Sequence, residues 1–183
     1  MSMTKIATVT VGAGGAASID FTSIPATATD LIIVYSLRSN RSASGTTDGA
    51  LIRFNGSTGA YYTTRTLAGN GSSANSLVDA SSTLGIYNYF GATSDLATAS
   101  TFGNGSIYIP NYSGSTNKSV SIESVNENNA TATLGGIVAG IWAQTAAITS
   151  INLRPEAGTL YKEYSSATLY GVNKGSLAGV TVS

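Results

Sequence analysis

From Ile6 to Val172 the chain alternates apolar and polar residues in short runs that stop at clusters of Gly, Ser, Thr and Asn. Side chains on an extended strand point alternately to opposite faces, so a period of two builds half-buried strands. An amphipathic helix would need apolar residues every three to four positions. The pattern predicts an all-β fold with about ten short strands. They fall at 6–11, 19–21, 31–37, 50–54, 61–67, 106–110, 119–125, 136–142, 148–153 and 167–172. In 31–37 both faces are apolar, which places that strand where both sides are covered. So many short strands pack best as two antiparallel sheets, a β-sandwich. Residues 73–80 suggest one helical turn. One domain spans 1–183, with 1–4 and 174–183 read as terminal tails.

Asn55-Gly56, Asn70-Gly71 and Asn104-Gly105 carry the residue types that accept positive φ, and each reads as a hairpin or loop tip. Stretches 39–47, 68–83 and 88–103 are too long for tight hairpins. Each is expected to be functional, to be swapped with a neighbouring subunit or to hide a short strand.

Not one of the 183 residues is His or Cys. That leaves Ser and Thr hydroxyls without a histidine base and removes nitrogen and sulfur metal ligands. Among the carboxylates, Glu123 and Glu127 sit on one strand face ~13 Å apart, beyond the ~5–9.5 Å of a glycosidase pair. Residues 12–17, Gly-Ala-Gly-Gly-Ala-Ala, match a dinucleotide fingerprint, but strand-like Ser18-Ile19-Asp20-Phe21 follows where a helix is required. Thr46-Thr47-Asp48-Gly49 and Thr93-Ser94-Asp95 offer oxygen ligands without the alternating Asp ladder of a calcium loop. The expectation is no catalytic residue, no cofactor and no metal.

Nine basic and nine acidic residues give zero net charge, which argues against a nucleic-acid partner. A near-neutral surface favours a protein that assembles. Arg38, Arg41, Arg53 and Arg65 are candidate intersubunit charges, and Tyr61, Tyr62, Tyr87, Tyr89 and Tyr112 are candidate surface-binding aromatics for a protein or glycan. Trp142, in an apolar strand, reads as core. The amino terminus lacks an apolar signal segment, and the apolar stretch 134–143 is broken by three glycines, so no membrane insertion is expected.

Several strand-end motifs occur together: Phe21-x-x-Ile24-Pro25, Asp30-Leu31, Arg53-Phe54-Asn55-Gly56, Ile107-x-Ile109-Pro110-Asn111-Tyr112, Trp142, Ile148-x-x-Ile151-x-Leu153 and Ala167-Thr168-Leu169-Tyr170-Gly171-Val172. Over Ile6 to Val172 the chain is similar to small surface virion proteins of tailed phages that infect cyanobacteria and other aquatic bacteria. One position departs from that pattern: Tyr164-Ser165-Ser166-Ala167 replaces an aromatic-x-x-Gly-Ser turn. The resemblance implies a jelly-roll-like sandwich displayed on the virion and assembled in the host cytoplasm. It also implies a capsid decoration protein that contacts the major capsid protein or other virion proteins, as a homo-oligomer with a trimer favoured. The alternative is a tail- or head-fibre module that binds a host surface glycan through its tyrosines.

Overall fold

A computed structural model describes residues 2–43, 45–129 and 133–173. It contains twelve strands: β1 (Ser2–Thr10), β2 (Ile19–Phe21), β3 (Asp30–Leu37), β4 (Thr47–Phe54), β5 (Tyr62–Gly69), β6 (Ala74–Ser82), β7 (Ile86–Thr93), β8 (Gly103–Pro110), β9 (Lys118–Asn126), β10 (Leu134–Trp142), β11 (Ile151–Pro155) and β12 (Ser166–Asn173). All ladders between them are antiparallel. They form an eight-stranded sheet, β1-β12-β3-β8-β9-β10-β5-β6, and a four-stranded sheet, β2-β11-β4-β7. The chain crosses between sheets at eight of its eleven connections; β5–β6, β8–β9 and β9–β10 stay within the large sheet. In the block β1-β12-β3-β8 against β2-β11-β4-β7 this order is that of a jelly roll, and β9, β10, β5 and β6 extend the large sheet on one side.

Alternation decides which face is inside. On β3, Leu31, Ile33, Tyr35 and Leu37 are buried; on β4 and β11, Ile52, Phe54, Ile151 and Leu153 meet them from the other sheet. Each such aliphatic side chain contributes about 1.5–3 kcal/mol when withdrawn from water. Phe54 stacks obliquely on Trp142 at 5.6 Å and on Tyr62 at 6.4 Å, closing one end of the core.

Several expectations change. Residues 74–80 lie in strand β6 and not in a helical turn, and Ser2–Thr4, expected as a tail, belong to β1. Asn104-Gly105 lies inside β8 and turns nothing. A Cβ at Gly105 would come within 2.2 Å of the Glu123 carbonyl and 2.3 Å of the Tyr35 hydroxyl, so glycine is there for space and not for φ. Asn70-Gly71 does tip the β5–β6 hairpin, where the Asn70 side chain accepts the Ser72 and Ser73 amides. Asn55-Gly56, with φ of 50° and 63°, redirects the chain from the small sheet to the large one. The expected tail 174–183 lies outside the described residues.

Candidate functional site

The outer face of the large sheet departs from an ordinary solvent-facing sheet. Residues directly opposite each other in an antiparallel pair share a face, so the registers can be read across the strands. One row runs Val34, Ser106, Glu123, Ile137, Leu67, Ser76; the next runs Ser36, Asn104, Val125, Gly135, Gly69, Ala74. At the outward positions of β8, β9, β10 and β5 the only charges are Glu123 and Arg65.

Apolar side chains gather on this face. Val34, Leu67, Val78, Val125, Ile137 and Ile141 all point outward, six of the eleven exposed large hydrophobic side chains among the described residues. Ile137 is 64% exposed and Leu67 58%, although they lie mid-strand next to each other. They border an open trough of about 820 Å³ that reaches from Val34 across to Ala74. Gly69, Gly105, Gly135 and Gly136 line it, and at the outward Gly69 and Gly135 backbone is left where side chains would otherwise fill it.

The layer beneath the trough is fixed by a buried polar network. The Asn88 side-chain amide donates to the Tyr35 hydroxyl at 2.7 Å, and the Ser124 hydroxyl donates to the Asn88 Oδ1 at 3.0 Å. Burial pushes the Tyr35 phenol well above its usual range. Three strands of the large and small sheets are thereby pinned under the trough.

The predicted site residues do not converge. Tyr62 and Tyr112 are fully buried and are not surface aromatics. The Tyr62 hydroxyl accepts the Phe54 amide at 3.1 Å and sits within bonding distance of the Ser57 carbonyl, while Tyr112 donates to the Pro25 carbonyl. Their phenols have found backbone partners inside, which is how a buried tyrosine is accommodated. Tyr61 is exposed, as expected for the neighbour of an inward residue. Tyr87 and Tyr89 lie half-buried on the outer side of the small sheet with ring centroids 3.8 Å apart. Burial and then the Glu156 carboxylate raise the Tyr87 phenol.

The four arginines are likewise separate. Arg38 is buried, and its guanidinium donates to the carbonyls of Ala97, Thr98 and Thr101 at 2.8–3.0 Å, holding the loop after β7. It is an internal clamp and not an intersubunit charge. Arg41 donates to the Thr47 carbonyl and Arg53 to those of Thr83 and Leu84. Arg65 alone of the four stands exposed on the large outer face.

Candidate oxygen ligands are used locally. Asp48 accepts the Ala157 and Gly158 amides, and Asp95 pairs with Lys162 at 2.5 Å. Glu123 accepts from Ser106, and Glu127 from the Asn129 amide. Among the described residues no three acidic side chains gather as a metal site. Sequence reasoning also passed over Lys118, which is buried with its ammonium donating to the carbonyls of Gly114, Thr116 and Thr145. Burial lowers its pKa. It opens a strand whose alternation is otherwise regular, and a lysine in an inward phase was the available signal.

No family model matches the chain, and no curated protein or solved structure shows significant similarity to it.

Proposed function

We propose that this chain is a non-enzymatic structural protein of a phage virion, displayed on the particle surface as a capsid decoration subunit. The observation that carries this reading is the outer face of the large sheet, with six exposed apolar side chains around a glycine-lined trough and, at the outward positions of β8, β9, β10 and β5, only two charges. Burying Val, Ser, Ala and Gly costs little side-chain entropy, and few charges need desolvation, so such a face suits repeated subunit contacts. The strand-end resemblance over Ile6 to Val172 supports the virion setting. On this reading the partners are the major capsid protein or another virion protein, and further copies of the chain in a trimer.

The paired rings of Tyr87 and Tyr89 favour a second reading, a receptor-binding module of a tail or head fibre. Binding of the purified chain to undecorated capsids, abolished by Ile137→Glu, supports decoration. Adsorption to host cells, lost on Tyr89→Ala while the fold stays intact, with no binding to undecorated capsids, supports the fibre reading instead.

A further inference from the structure

A second surface feature lies at the opposite kind of place, a loop corner. Residues 162–165 form a turn closed by the Ser165 amide on the Lys162 carbonyl at 3.1 Å. Its third residue, Tyr164, has φ 71°, a backbone region where turns place glycine and where a bulky side chain is strained. The tyrosine is 70% exposed, so the fold recovers no burial for that strain. Strain held at an exposed residue is a pointer to function.

The corner has a concavity of about 320 Å³, lined by Tyr164, Phe102, Asp95 and Lys162 among others. Its frame is rigid. Arg38 ties the 95–101 loop through its guanidinium, the Lys162 amide donates to the Arg38 carbonyl at 2.7 Å, and the Tyr164 amide donates to Val11 at 2.9 Å. The lining charges cancel, Arg38 and Lys162 against Asp95 and Glu163, and Arg38 is already occupied by carbonyls. A charged ligand gains little here. What the corner offers is an aromatic surface beside an acceptor and a donor only 2.5 Å apart, the Asp95 carboxylate and the Lys162 ammonium. Neighbouring hydroxyls on a ring with a C–H face meet both demands, since each hydroxyl donates and accepts. The volume sits at the small end for ligand pockets, matching one ring.

We propose that this corner binds a single neutral sugar ring, free or at the end of a glycan. The proposal rests on the corner's own geometry and holds whichever face assembles. The test titrates the full-length chain, labelled with nitrogen-15, with methyl glycosides of glucose, galactose, mannose and N-acetylglucosamine, and with N-acetylneuraminic acid as a charged comparison. Expected are amide shifts confined to Phe102 and Lys162–Tyr164 with a millimolar Kd for at least one neutral glycoside. Tyr164→Gly should weaken binding about tenfold or more while the melting temperature is unchanged or raised, and Tyr164→Phe should keep binding. No shift from any neutral glycoside, equal binding by Tyr164→Gly, or a response to the acidic sugar alone would overturn the proposal.

Discussion

Gly105 carries more of the large sheet than its size suggests. It lies opposite Tyr35 on β3 and beside Ser124 on β9, and added volume there meets the Glu123 carbonyl. Overpacking against backbone cannot be relieved by a rotamer change. Gly105→Ala is therefore expected to cost about 2–3 kcal/mol in urea unfolding. A loss under about 0.5 kcal/mol, the scale of an ordinary surface change, would contradict this. Asp95 makes a pH-dependent contribution. Its hydrogen bond to Lys162 comes first, with the charges of Lys162 and Arg38 adding, and together they hold its carboxyl below the usual value against a smaller desolvation effect. A depressed carboxyl stabilises the fold above its unfolded pKa of about 4 and loses that contribution as pH falls through the folded value. The pair is more than a third exposed, so its worth is at most about 1 kcal/mol. The stability gap between the wild type and Asp95→Asn should exist at pH 7 and close on acidification; a gap that widens as pH falls would contradict the assignment.

At the scale of elements, β6 is the outermost strand of the large sheet. One side of its ladder is unpaired, and its residues are exposed or half-buried along the whole length. In hydrogen exchange its amides should open at about 2–3 kcal/mol less than those of β9, which is paired on both sides. Equal protection in the isolated chain would mean that something else covers that edge. The same exposure explains why β6 was not legible in the sequence. A strand that buries nothing has no apolar alternation, and Ala74-Asn75-Ser76 reads like loop. β7 was hidden differently: Asn88 faces the core, where Tyr35 and Ser124 satisfy it, and an inward Asn breaks the pattern that marks strands. The other ten strands were legible from their alternation, which in all but β1 runs across a buried face. Site residues were less so, since period two says which residues oppose each other but not which face is covered. Tyr61 and Tyr62 show this: the sequence sends them to opposite sides, and only the register puts Tyr62 inside.

At the scale of the molecule, the jelly roll accounts for eight strands and the remaining four widen one sheet only. The small sheet has to cover the inner side of that extension, and β7 does so by packing on β9, β10 and β5. Nothing in the described residues covers the outer side. A sheet widened on one side and left apolar outside suits the contacts proposed for it, in a chain whose net charge does little to keep copies apart. The missing histidines and cysteines fit that account, since adhesion between β surfaces requires neither.

Sedimentation velocity of the purified chain, alone and mixed with undecorated capsids, tests the outer face most directly when the wild type is compared with Leu67→Glu/Ile137→Glu. Both positions are exposed, so the variant should unfold within about 0.5 kcal/mol of the wild type. The wild type is predicted to sediment as an oligomer or with the capsids, and the variant as a free monomer. A wild type that stays monomeric and leaves the capsids bare, or a variant that assembles unchanged, would contradict the account.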